Sequence, residues 1–144
     1  MAERPGLERF RLAQDADCTW ERALGELRAG RKSSHWMWFV FPQIAGLGHS
    51  ELSRRYAIAS RAEAREYLAD EVLGPRLREA AAALLAHEET DPARILGAVD
   101  ALKLRSSMTL FLEADPSEAV FVEVLERFYG GLGDEATLRL LGAG

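Results

Sequence analysis

Apolar residues three and four positions apart recur along this chain, and clean alternation of apolar and polar residues is scarce. Trp20, Ala23, Leu24 and Leu27 stand at i, i+3, i+4 and i+7, which puts them on one face of a helix. Leu73, Leu77, Ala80, Ala81, Leu84 and Leu85 repeat the pattern, as do Val120, Phe121, Val124, Leu125 and Phe128. Start and stop signals frame these runs. Asp17 or Thr19 is placed to cap the first, and Gly30 follows its end. Asp115, Pro116 and Glu118 read as N-cap, first helical residue and capping-box acid of a helix that Gly130 and Gly131 stop. Asp91-Pro92 repeats that start signal, Ser60 caps RAEAREYL, and Asp134 opens a final helix through Leu141. No hairpin dipeptide joins two strand-like runs, no repeat is visible and no linker divides the chain. The expected fold is all-α: one compact multi-helix domain over residues 1–144, with six to eight helices.

Composition narrows the function classes. The chain has 144 residues, an apolar fraction of 48% and a net charge of −5. That is enough apolar surface for one core, and the acidic balance argues against a dedicated nucleic-acid binder. The lone Cys18 allows no internal disulfide, the N-terminus lacks an apolar signal core, and no apolar run approaches the ~18 to 20 residues that span a bilayer. The expectation is a cytoplasmic protein with no membrane partner. Arginine occurs 16 times and lysine twice, at Lys32 and Lys103. A flexible ammonium is not equivalent to a guanidinium fork, so these two positions stand out.

Two segments break the amphipathic rule. GRKSSHWMWFVFPQ, residues 30 to 43, carries two cations and two hydroxyls and then seven uncharged residues. Its apolar side chains point every way on a helical wheel, and both faces of a strand would also be apolar, so periodicity alone leaves helix or strand open. GAVDALKLRSSMTLFLEAD, residues 97 to 115, is apolar all round as a helix, the mark of a central element. Yet Asp100, Lys103 and Ser107 share one narrow sector of it, and Arg105 and Thr109 share another. Buried polar groups need partners. Trp36, Trp38, Phe39, Phe41, Leu104, Met108 and Phe111 are expected in one core, with residues 35 to 43 touching residues 103 to 109.

These two segments resemble the bacterial family known as domain of unknown function 1810, in ELRAGRKSSHWMWFVFPQIAGLGHS and DALKLRSSMTLF. The likeness extends to YLADEVLGPRL and GDEATLRLL and covers nearly the whole chain. It implies a mainly helical fold in which HWMWFVF is a short buried helix capped by Ser33 or Ser34, with Pro42 at its end. It implies no established activity.

The candidate site follows from the same residues. His35 is the candidate acid or base, with Lys103 and Arg105 as charge stabilisers. Arg31, Lys32, Trp36, Trp38, Gln43, Asp100, Ser106, Ser107 and Thr109 are the candidate ligand contacts, cations and hydroxyls for an anion and indoles to stack a ring. The competing reading is structural: indoles in a core, Asp100 paired with Lys103, and Arg105 paired with Glu26, Glu51 or Asp134. His35, His49 and His87 have no metal-ligand spacing, and neither a phosphate loop nor a nucleophile elbow is present. No metal and no cofactor is expected. The leading expectation is a site for a small anionic, partly aromatic ligand such as a nucleotide derivative, with hydrolysis as its chemistry if it is an enzyme. The alternative is a non-catalytic interaction or regulatory module.

Overall fold

The structure is a computed structural model that describes residues 6–142. Its α-helices are α1 (Glu8–Asp15), α2 (Thr19–Ala29), α3 (Met37–Val40), α4 (Glu51–Arg55), α5 (Arg61–Ala69), α6 (Leu73–Leu85), α7 (Pro92–Leu96), α8 (Ala98–Ala114), α9 (Ala119–Tyr129) and α10 (Glu135–Gly142). A 3-10 turn, Ala16–Cys18, joins the first two. The helices are more numerous and shorter than expected, because residues 30 to 60 fold as two short helices linked by loops.

The centre of the fold is α8, which packs against α5, α7, α9 and α10. Helices on several sides explain why it is apolar all round: no face of its middle is left to water. Leu104, Met108, Leu110 and Phe111 are fully buried there. Phe111 meets Tyr67 and Phe121 at ring-centroid distances of 5.2 and 6.2 Å. A second layer forms where α6 packs on α2, α5 and α9, and α1 rests on α2 and α3.

Capping chemistry agrees with the sequence at three ends. Ser60 Oγ accepts the Glu63 amide, Asp91 Oδ1 accepts the Ala93 amide, and Asp134 Oδ2 accepts the Thr137 amide and hydroxyl. At two starts the structure differs. Neither Asp17 nor Thr19 caps α2: its N-cap is Cys18, and Asp17 and Cys18 both take left-handed backbone. Asp115 does not start α9 but ends α8, and α9 begins at Ala119 with Glu118 as its N-cap. The core continues α8 as far as Ala114, and Asp115 instead holds the turn by accepting from Ser117.

HWMWFVF does contain a buried helix, the single turn α3. Neither Ser33 nor Ser34 caps it, because both serve another residue, and Trp36 occupies the N-cap position. After Pro42 the chain extends, and Ile44 forms an isolated parallel bridge with Ile58. The Ala45 amide donates to the Ile58 carbonyl, and the Ile58 amide donates to the Gln43 carbonyl, both at 2.8 Å. This bridge fixes the loop that carries Gln43 beside the loop that follows α4. Trp36, Phe41, Leu104, Met108 and Phe111 belong to one core as expected, and Phe39 packs on it half-buried. Trp38 departs from that expectation: it is half-buried at the margin.

Candidate functional site

Glu26, on the last turns of α2, organises the loop that leads into α3. Its carboxylate accepts from the Ser33 and Ser34 amides at 2.8 and 3.0 Å, from Ser34 Oγ at 2.5 Å and from Trp36 Nε1 at 2.8 Å. Burial alone would raise the pKa of this carboxyl. The Ser34 hydroxyl, the two amides and the indole outweigh burial and lower it from 4.5 to about 2. Trp36 is wholly buried, with its single polar atom satisfied by Glu26. From the sequence, Glu26 is expected only as one of three possible mates for Arg105. Its use as a loop acceptor leaves no local signal, because its donors lie seven to ten residues further on.

The loop pinned by Glu26 delivers Lys32 to α8. The Lys32 amide donates to the Ile95 carbonyl of α7 at 2.7 Å. Its ammonium then reaches Asp100 Oδ2 at 2.9 Å and lies 5.0 Å from the centre of the Trp36 ring. Lys103, one turn along α8, reaches Asp100 Oδ1 at 3.2 Å. Its ammonium sits 3.8 Å from the centre of the Trp38 ring, close enough for a strong cation–π contact. The chain's two lysines therefore share one carboxylate and rest on the two indoles of α3 and its N-cap. Side-chain exposure is 9% for Lys32, 16% for Asp100 and 20% for Lys103, so the cluster is mostly shielded from water.

A cavity of about 350 Å³ opens against this cluster. That lies within the roughly 300 to 1,000 Å³ of small-molecule sites. Trp38, Gln43 and Lys103 line it together with Arg54, Tyr56 and the loop 44–48. The loop needs its glycines. Gly46 has φ +102°, and a Cβ there would meet Leu140 of α10 at 3.2 Å, while a Cβ on Gly48 would meet Ser53 at 2.7 Å. The lining includes no carboxylate and no imidazole.

The remaining predicted residues lie elsewhere. His35 and Arg31 are exposed on the loop and do not line the cavity. Arg105 does not pair with Glu26, Glu51 or Asp134; its Nε donates to the Leu132 carbonyl at 2.9 Å and its guanidinium faces Tyr129. Ser106 and Thr109 donate to the Leu102 and Arg105 carbonyls one turn back, and Thr109 Oγ1 also accepts the Asp134 amide. Ser107 is fully buried, and its hydroxyl is without a hydrogen-bond partner among the described residues. Arg54, Tyr56 and the loop 44–48 are not among the predicted site residues; the basic run SRRYAIASR and the GLGHS turn are the sequence signals for them. His87 is half-buried, and its Nε2 lies 2.7 Å from the Leu27 carbonyl. Among the described residues no group of His, Cys, Asp and Glu has a metal-binding arrangement, and no helix is long and apolar enough to cross a membrane.

The class defined so far is an all-helical domain built around one central helix, with a cavity that meets that helix at Lys103 in its second turn. The chain belongs to the family described as "Protein of unknown function (DUF1810)", whose model matches residues 4–141. It is also similar to a crystal structure of the conserved hypothetical protein Rv1873 from Mycobacterium tuberculosis. The two share 46% identity and a TM-score of 0.91 over 94% of this chain and 96% of that one. No curated protein matches the chain.

Proposed function

We propose that the cavity binds a small molecule with an anionic group and an apolar or ring-bearing body, a nucleotide derivative being the first class to test. The observation that carries this reading is the joint lining of one cavity by Trp38, Gln43 and Lys103, residues from two distant segments. Lys103 and Arg54 supply positive charge, and Gln43 supplies an amide for a polar edge. Ile44, Leu47 and Tyr56 supply the apolar wall against which the body of the ligand rests. One face of Trp38 is covered by the Lys103 ammonium. The indole's part in this reading is to hold the cation, and the ligand body lies against the aliphatic side. The lining holds no carboxylate or imidazole, and the reading proposed is one of binding.

The test is calorimetric titration of the wild type with adenosine 5′-monophosphate, adenosine and inorganic phosphate, repeated on Lys103→Met. Binding of the monophosphate, much weaker binding of adenosine, and at least tenfold loss in Lys103→Met are expected. Equal affinity for the charged and uncharged nucleoside would overturn the anionic part of the reading.

An interaction module is the second reading, supported by three leucine and valine side chains. Val99 and Leu102 on the outer face of α8 are 67% and 66% exposed, and Leu132, whose carbonyl holds Arg105 beside that face, is 66% exposed. On this reading Leu102→Glu abolishes association with a protein partner and leaves ligand titrations unchanged.

A further inference from the structure

The cluster beside the cavity holds two ammonium groups and one carboxylate, and this imbalance has a use. We propose that Lys103 is a releasable cation: a ligand oxyanion takes it from Asp100, and Lys32 keeps Asp100 neutralised while it is away. Lys32 is then a positioning residue for a site it does not line. The inference rests on the cavity being a ligand site, as proposed above. It names the ligand class more narrowly: a molecule whose terminal oxyanion, phosphoryl or carboxylate, adds one contact to Lys103 at the inner wall.

Three observations support it. First, Asp100 has a second cation partner besides Lys103. Lys32 approaches it more closely, 2.9 against 3.2 Å, and on the other carboxylate oxygen, so losing Lys103 does not strand a shielded charge. Second, the two lysines are held differently. The Lys32 backbone is fastened to the Ile95 carbonyl and its side chain is only 9% exposed. Lys103 is 20% exposed and lines the cavity, which Lys32 does not. Third, the Trp38 face under the Lys103 ammonium offers it an uncharged resting surface 3.8 Å away. A lysine with one counter-ion of its own would have to break that pair to serve a ligand. A lysine sharing a counter-ion with a second, better-placed lysine breaks its contact too, but leaves no unpaired carboxylate behind.

The charges facing Lys103 can be rearranged by mutation so that a purely structural role for Lys32 gives a different answer. Adenosine 5′-monophosphate and inorganic phosphate are titrated into wild type, Lys32→Met, Lys32→Arg, Asp100→Asn and the double variant Lys32→Met/Asp100→Asn, with a thermal melt recorded for each. In Lys32→Met, Asp100 has only Lys103 left and retains it, so affinity for both probes falls about tenfold. Lys32→Arg keeps the second cation and restores most of the affinity. The double variant removes the retaining carboxylate together with its lost partner, and affinity returns to within about threefold of wild type. Asp100→Asn alone leaves Lys103 held only by the Trp38 ring and strengthens binding several-fold, which keeps the test decisive if Lys32→Met does not fold. Unchanged affinity in Lys32→Met, or no recovery in the double variant, would overturn the inference while leaving the ligand site standing. A wild type that binds neither probe would overturn both.

Discussion

Trp36 and Trp38 are two residues apart, and each has a lysine against its ring, yet they belong to different parts of the molecule. Trp36 is sealed in the core, its N–H is taken by Glu26, and its lysine sits 5.0 Å away. Trp38 is half-buried at a cavity wall, with its lysine at 3.8 Å. The same pair of residue types thus serves once as a structural anchor and once as a cation holder. What separates them is the burial of the ring and whether the indole nitrogen has an internal partner, neither of which follows from residue type.

That comparison predicts an order of effects. Trp36→Ala should have the largest, about 3 to 5 kcal/mol, because it empties a fully buried site and removes a donor from Glu26. Urea unfolding measures it, and a loss below about 1 kcal/mol would mean that Trp36 is no anchor.

Glu26→Gln should come next, at about 3 kcal/mol near pH 7, since a charged acceptor of four hydrogen bonds becomes a neutral group with its own donors. The pH dependence has a definite sign. The folded pKa of Glu26 is depressed, so its stabilisation is fully present above about pH 4.5 and is lost as pH falls towards about 2. The stability difference between wild type and Glu26→Gln should therefore shrink across that window and stay constant above it. A difference that persists at pH 2 would remove the carboxylate from the account of this loop.

Trp38→Ala should cost less than its neighbour, about 1 to 2 kcal/mol, because a half-buried ring gives up less apolar contact. Its effect on ligand titrations should exceed its effect on stability, the reverse of the Trp36 result. Equal destabilisation by the two alanine variants would erase the distinction.

Lys103→Met should have the smallest effect on stability, about 1 kcal/mol or less, since Asp100 keeps Lys32 and the methionine stem still covers Trp38. For a domain of this size that is a shift in Tm of about 2 to 4 °C. A much larger fall would show that Asp100 depends on Lys103 after all, and would restore the purely structural reading of the cluster.

The sequence by itself determined the helical class, the caps at Ser60, Asp91 and Asp134, the central place of residues 97 to 115, and the meeting of the two aromatic and lysine-bearing segments. All of these rest on short-range spacing or on burial that composition compels: a capping oxygen reaches an amide two or three residues away, and an all-round apolar helix has nowhere to go but the middle. The pairing of Asp100 with Lys103 was legible for the same reason, since residues three apart share a helical face. The tertiary structure alone decided that Lys32 is the second partner of Asp100, that Glu26 serves the loop into α3 while Arg105 takes a backbone carbonyl, and which of two neighbouring indoles stands at a cavity wall. Asp115 shows the limit most directly. Its Asp-Pro signal is a valid helix start, but packing along α8 extends that helix to the preceding residue and turns the same aspartate into its end. Local chemistry lists the partners a charged or aromatic side chain can take, and only the packing of distant segments selects among them, because desolvation and reach are set by what else arrives at the same place.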